Sequence, residues 1–196
     1  MRTRATLVAA AAACLCSTVT AAPAMGQGSV DPSSLFPAPP PGAACRTTGQ
    51  AVRCDTVFDG SVVAEPAFEL PCGQVYETST DVRRGIRWYV DGRLDRRLVF
   101  QNAQGSWSLS STGAAPTVSW VAHASWQNVD IDADAPEETW PTTTHGLFIR
   151  VTDGAGRPLF QYAGLELPDG THHGLGDWAV FESPDVQADL CDALVS

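Results

Sequence analysis

Apolar and polar residues alternate along much of the chain with a period of two. In residues 118–127, Val118, Trp120, Ala122, Ala124 and Trp126 fall on one side, and Ser119, Val121, His123, Ser125 and Gln127 on the other. That period predicts a strand. Leu147, Ile149 and Val151 oppose Phe148 and Arg150 in the same way, and Leu159, Gln161, Ala163 and Leu165 oppose Phe160, Tyr162 and Glu166. Apolar groups on both sides of these segments predict a sheet that closes on itself or is covered. Turn signals punctuate the runs at Asp59-Gly60, Asp91-Gly92, Ser111-Thr112-Gly113, Asp153-Gly154 and Pro168-Asp169-Gly170. The pattern predicts a mainly β fold, an antiparallel meander of about seven to nine strands forming a barrel or barrel-like sheet, with a sandwich as the second choice. One helix is predicted at the C-terminus. Ser183-Pro184-Asp185 supplies an N-cap, a first-turn proline and an acid at the positive end of the helix dipole. Val186, Leu190 and Leu194 then recur every four residues beside Cys191.

The N-terminus has a different character. Arg2 and Arg4 precede an apolar run from Leu7 to Cys16, followed by small residues, so residues 1–24 read as an export signal cleaved before Ala22 or before Met25. A lipoprotein signal is the rival reading, but neither Cys14 nor Cys16 follows a Leu-x-(Ala/Gly) triplet. Residues 25–43, rich in proline, glycine and serine, read as an extended spacer, and 44–196 as one disulfide-bonded β domain. Of the six cysteines, Cys45, Cys54, Cys72 and Cys191 outlast cleavage. An even number in an exported chain predicts disulfides, with three possible connectivities. The turn around Gly49 favours Cys45 with Cys54, which leaves Cys72 with Cys191. No CxxC or paired Cys/His spacing points to zinc.

Composition narrows the function. All twelve basic residues are arginine, against 22 acids, for a formal charge of −10; removing the signal leaves ten arginines and −12. An acidic total argues against general nucleic-acid binding, which rests on neutralising phosphates. No stretch reaches the roughly 20 consecutive apolar residues of a membrane span. The predicted location is extracellular.

Six of the ten remaining arginines lie in residues 83–97, where Asp91-Gly92 predicts a hairpin. A three-residue loop with a glycine bulge would set Trp88 opposite Leu94 and Arg87 opposite Asp95. Arg87, Trp88, Arg93, Arg96 and Arg97 form a candidate patch for an anionic polymer. The plainer reading is an edge hairpin whose charges discourage aggregation. Asp130, Asp132 and Asp134 match the opening of a calcium loop, but Ala135 and Pro141 stand where glycine and glutamate belong. His172-His173 reads as an exposed loop. His123 and His145 suit acid–base work only if the fold brings a carboxylate to them. Trp140, beside the acidic run, is the tryptophan expected at the surface, where it could stack on a sugar. No nucleophile elbow, His-Glu-x-x-His or phosphate loop is present, so no catalytic residue and no cofactor is predicted.

Three segments carry a resemblance: Glu69-Leu70-Pro71-Cys72, the hairpin Arg87-Trp88-Tyr89 with Asp91-Gly92-Arg93-Leu94 and Arg96-Arg97, and Asp189-Leu190-Cys191-Asp192-Ala193-Leu194. From about residue 68 onward the chain resembles a set of secreted actinobacterial β-rich proteins of unknown function. The resemblance implies a β domain with an early cysteine bridged to one near the C-terminus, and it implies no activity. The Cys45/Cys54 segment and the acidic run at 130–138 depart from it, while the lack of lysine fits a high-GC genome. The expected function is a secreted binding or interaction module for a cell-surface polymer or a small apolar ligand. The alternative is a small-ligand barrel or enzyme using His123 or His145 and an arginine in its interior.

Overall fold

A computed structural model describes residues 28–113 and 116–196, so the export signal expected at 1–24 lies outside the described residues. Eight strands follow one another: β1 (Ala44–Thr48), β2 (Ala51–Leu70), β3 (Gly73–Val90), β4 (Arg93–Ser108), β5 (Thr117–Asn128), β6 (Thr142–Thr152), β7 (Pro158–Glu166) and β8 (His172–Leu175). Two helices, α1 (Trp178–Phe181) and α2 (Pro184–Val195), close the chain. Every strand pairs antiparallel with the next, in one sheet ordered β1 to β8. None of these helices is long and apolar enough to cross a membrane.

The sheet does not close into a barrel, and among the described residues there is no second sheet to make a sandwich. β1 and β8, of five and four residues, are left as its edges. The apolar side is covered instead by other parts of the chain. The cross-strand register places Val52, Cys54, Phe58, Val62 and Phe68 of β2 on one face with the odd-numbered residues of β3, from Val75 to Tyr89. Trp107, Val118, Trp120, Val151 and Phe160 continue that inner face across the sheet.

Each end of the inner face carries its own core. At one end Leu70, Val75, Trp107, Val118, Ile149, Val151 and Phe160 bury Leu190 and Leu194 of α2, with Val186 packed alongside. The helix begins as its sequence dictates: the Ser183 hydroxyl accepts from Val186 N, and Pro184 stands in the first turn. Burying each leucine contributes about 1.5–3 kcal/mol, and Cys72–Cys191 ties the helix to the sheet. At the other end Cys54, Tyr89 and Leu94 are covered by Leu35 and by Ile131, Ala133 and Trp140 from the β5–β6 connection. The second disulfide, Cys45–Cys54, belongs here and joins directly opposed residues of β1 and β2.

Residues 30–43 lie along this second end rather than standing clear as a spacer. Phe36 N donates to Gly92 O and Leu94 N to Phe36 O, both at 2.8 Å. The Tyr89 hydroxyl donates to Pro37 O at 3.1 Å.

Three local expectations change. Asp59-Gly60 is not a turn: both residues sit inside β2, a 20-residue strand. Asp91-Gly92 is a two-residue turn with φ of 51° and 78°, the left-handed pair of a type I′ hairpin. Tyr89 therefore opposes Leu94, Trp88 opposes Arg96 and Arg87 opposes Arg97, with Asp95 as the bulged residue. Finally, the register slips between Leu147 and Ile149, so Leu147 turns away from Ile149 and Val151. The bulged Phe148 meets the Tyr162 ring instead, with centroids 4.6 Å apart.

Candidate functional site

The arginine hairpin is not one basic patch, because strand alternation divides it between two faces and acids neutralise most of it. On the inner face Arg97 pairs with Glu137, donates from Nε to Asn128 Oδ1 at 2.9 Å and lies 5.2 Å from the Trp140 ring centre. Arg87 approaches the same Glu137 at 4.0 Å. At the turn, Arg93 pairs with Asp134 at 2.6 Å. On the outer face Arg96 stacks 4.2 Å over Trp88, and Arg53 approaches the same ring at 5.8 Å. Arg53, Arg46 and Arg84 surround Asp55. The Arg53 hydrogen bond, helped by the three positive charges and opposed by partial burial, holds the Asp55 carboxyl below the ordinary carboxylate range.

The acidic run serves that same neutralisation. Asp134 and Glu137 face arginines, and Asp132 Oδ1 accepts from Asp134 N at 3.0 Å. Among the described residues no three His, Cys, Asp or Glu side chains are grouped to hold a metal, so Asp130, Asp132 and Asp134 do not assemble a calcium site. Trp140 is buried rather than displayed, its indole N–H shared between Asp132 O at 3.1 Å and Ala135 O at 3.2 Å. His123 and His145 are exposed on the outer face, where His145 Nε2 lies 3.1 Å from the Ser125 hydroxyl. There is no barrel interior for them to share. His172 and His173 begin β8 rather than sitting in a loop, and the His172 ring lies 4.7 Å from that of Tyr162.

Between the two covered ends, the middle of the inner face stays open, and there it turns polar. Glu77, Ser79, Asp81 and Arg83 follow one another on β3 at every second position. Glu77 accepts from the Ser79 hydroxyl at 2.6 Å and from the Trp107 indole at 3.1 Å. Asp81 Oδ2 accepts from Arg83 Nε at 2.6 Å and from Gln101 Nε2 at 3.1 Å. The Arg83 guanidinium reaches to 5.9 Å from the Trp126 ring centre. This row lines a trough of about 390 Å³ with Phe58, Ala103 and Trp120. In its walls the Asp81 Oδ1 acceptor and the Trp120 Nε1 donor are buried without a hydrogen-bond partner. Leaving each unmet costs about 1–3 kcal/mol.

The trough leads into a larger cleft of about 810 Å³ between the end of β2 and α1, the two sharing Val62 and Glu77. Phe68, Trp107 and Phe181 form one wall of the cleft, and Glu65, Glu69 and Glu182 stand around it.

Arginine density in the sequence points to the hairpin, yet the polar groups gathered in the open middle of the inner face are Glu77, Ser79, Asp81 and Gln101, with Trp120 beside them. A signal for them exists. Positions 77, 79, 81 and 83 are all polar on a strand whose ends place Val75 and Tyr89 on that same face. Polar residues at every core-facing position in mid-strand mark a face left open. No protein-family model, curated protein or solved structure matches this chain.

Proposed function

We propose that the chain is an exported, disulfide-stabilised binding module, and that its ligand lies in the trough across the middle of the inner face. One observation carries this reading: two residues that line the same trough, Trp120 and Asp81, each hold a buried atom with no partner, the Nε1 donor of one and the Oδ1 acceptor of the other. A hydroxyl group both accepts from an indole N–H and donates to a carboxylate, so a hydroxyl-rich ligand such as a saccharide of a cell-surface polymer matches the pair. Trp120 and Phe58 add apolar surface of the kind that packs on sugar rings. Two disulfides and the arginine-rich N-terminus with its apolar run support export. The resemblance to secreted actinobacterial proteins of unknown function points the same way. The hairpin arginines, mostly paired with acids of the same chain, help to hold the end of the fold around Tyr89 and Trp140 in place.

Recovery of the protein from the medium of an expressing host, with an N-terminus at Ala22 or Met25, tests export. Titration of that protein with soluble surface-polysaccharide fragments, followed by NMR, tests the site. The expected result is movement of the Trp120 indole N–H and the Gln101 side-chain amide. Shifts confined to Trp88, Arg84 and Arg96 would move the site to the outer face and overturn the reading.

A further inference from the structure

The cleft beside α1 differs from the trough in charge. Its lining includes four glutamates, Glu65, Glu69, Glu77 and Glu182, and no arginine. Elsewhere the structure spends its arginines freely on acids: Asp55, Asp81, Asp134, Glu137 and Asp153 all have one. Among the described residues none of the four cleft carboxylates does. Glu65 and Glu77 are directly opposed across β2 and β3, a placement of like charges that costs stability unless a cation comes between them.

The apolar wall fits the same occupant. Phe68 and Trp107 meet edge to face with centroids 4.9 Å apart, and Phe181 lies 5.9 Å from each. Glu77 fixes the Trp107 ring through its indole N–H. Aromatic faces attract cations, and they do so most strongly for organic ammonium ions, whose alkyl groups also bury apolar surface. About 810 Å³ accommodates such a head and its stem. A metal cation would need its oxygen ligands gathered together, and among the described residues no such group forms.

We propose that the cleft between the end of β2 and α1 binds a small organic ammonium ion, with its charge facing Glu65 and Glu182 and its alkyl groups against Phe68, Trp107 and Phe181. This site stands independently of the hydroxyl-binding trough.

Choline is the probe, and its uncharged isostere, with carbon in place of nitrogen, is the control. In an NMR titration of the full protein, choline moves the Trp107 indole N–H and the Phe68 and Phe181 ring signals saturably, and the isostere does not compete. Glu65 and Glu182 are exposed, so the double variant Glu65→Gln, Glu182→Gln folds as the parent does, which an unchanged Trp126 signal verifies. Its affinity for choline falls about tenfold, and added salt weakens choline binding to the parent protein. Equal binding of the isostere, an unaltered affinity in the double variant, or no saturable shift would each overturn the proposal. Shifts at Trp120 without shifts at Trp107 would also overturn it while leaving the trough reading intact.

Discussion

The Arg97 guanidinium lies against the buried Trp140 ring, 5.2 Å from its centre, and so joins β4 to the β5–β6 connection that covers it. The same side chain satisfies Asn128, which is fully buried, and meets Glu137. Arg97→Ala would leave the Asn128 carbonyl short of a donor and Glu137 short of its closer arginine. The expected cost is about 2–4 kcal/mol, read as a lower urea midpoint. Arg97→Lys restores the charge but not the planar fork, so it recovers only part of the loss. A change below about 0.5 kcal/mol for the alanine variant, as at an ordinary surface position, would refute this role.

Tyr89 titrates in the opposite direction from the acids. Burial pushes its phenol above the ordinary tyrosine value, with the hydrogen bond and charge of Arg87 pulling the other way. The neutral phenol is thus favoured in the folded state. Its contribution is fully present below the ordinary tyrosine value near 10.0 and is lost as pH rises from there through the raised folded value. Urea midpoints between neutral pH and the alkaline limit should fall more steeply for the parent than for Tyr89→Phe. At neutral pH that variant loses the bond to Pro37 O, about 0.5–1.5 kcal/mol, together with the contact to Arg87. Parallel alkaline limbs would show that Tyr89 does not govern this slope.

Asp55 sets a slope at the acid end. Its carboxyl is held below the ordinary value of 3.8 by Arg53 first and by Arg46 and Arg84 in addition. The stabilisation is present above the ordinary carboxylate range and lost as pH falls through the depressed folded value. Asp55→Asn should lower stability at neutral pH and flatten the acid limb of the profile. An unchanged limb would remove Asp55 from the account.

The Cys72–Cys191 bridge closes a separation of 119 residues, for which chain entropy gives about 4–5 kcal/mol. Its removal by paired serine substitution should loosen α2 before the sheet, because Leu190 and Leu194 are the helix's only fully buried anchors. Hydrogen exchange is expected to rise first in residues 184–195 while β3 and β4 stay protected. Uniform loss of protection would show that the helix and the sheet part together.

The strands at 118–127 and 159–166, the final helix and both disulfides follow from alternation, capping and cysteine spacing, all of which are local. Closure is not local. Whether a meander curls into a barrel depends on strand lengths and single-residue bulges, such as those beside Trp88 and Phe148, which leave the alternating pattern almost unaltered. The same limit applied to the site. Trp140 sits among acids in sequence, yet Ile131 and Ala133 draw its loop inward and bury it. The histidines at 123 and 145 lie on the face opposite the covered one, the face that even a closed barrel would have left in solvent. The polar run at 77–83 was visible, but only the register shows that it interrupts an otherwise apolar face.

Each disulfide belongs to a different core, Cys45–Cys54 to the end with Tyr89 and Cys72–Cys191 to the end with α2. The long strands β2, β3 and β4 are shared between them, much as a plank rests on two trestles. Such a molecule has two places at which cooperativity can break. Damage at one end leaves the other assembled, and the trough between them is the span whose shape either failure would alter.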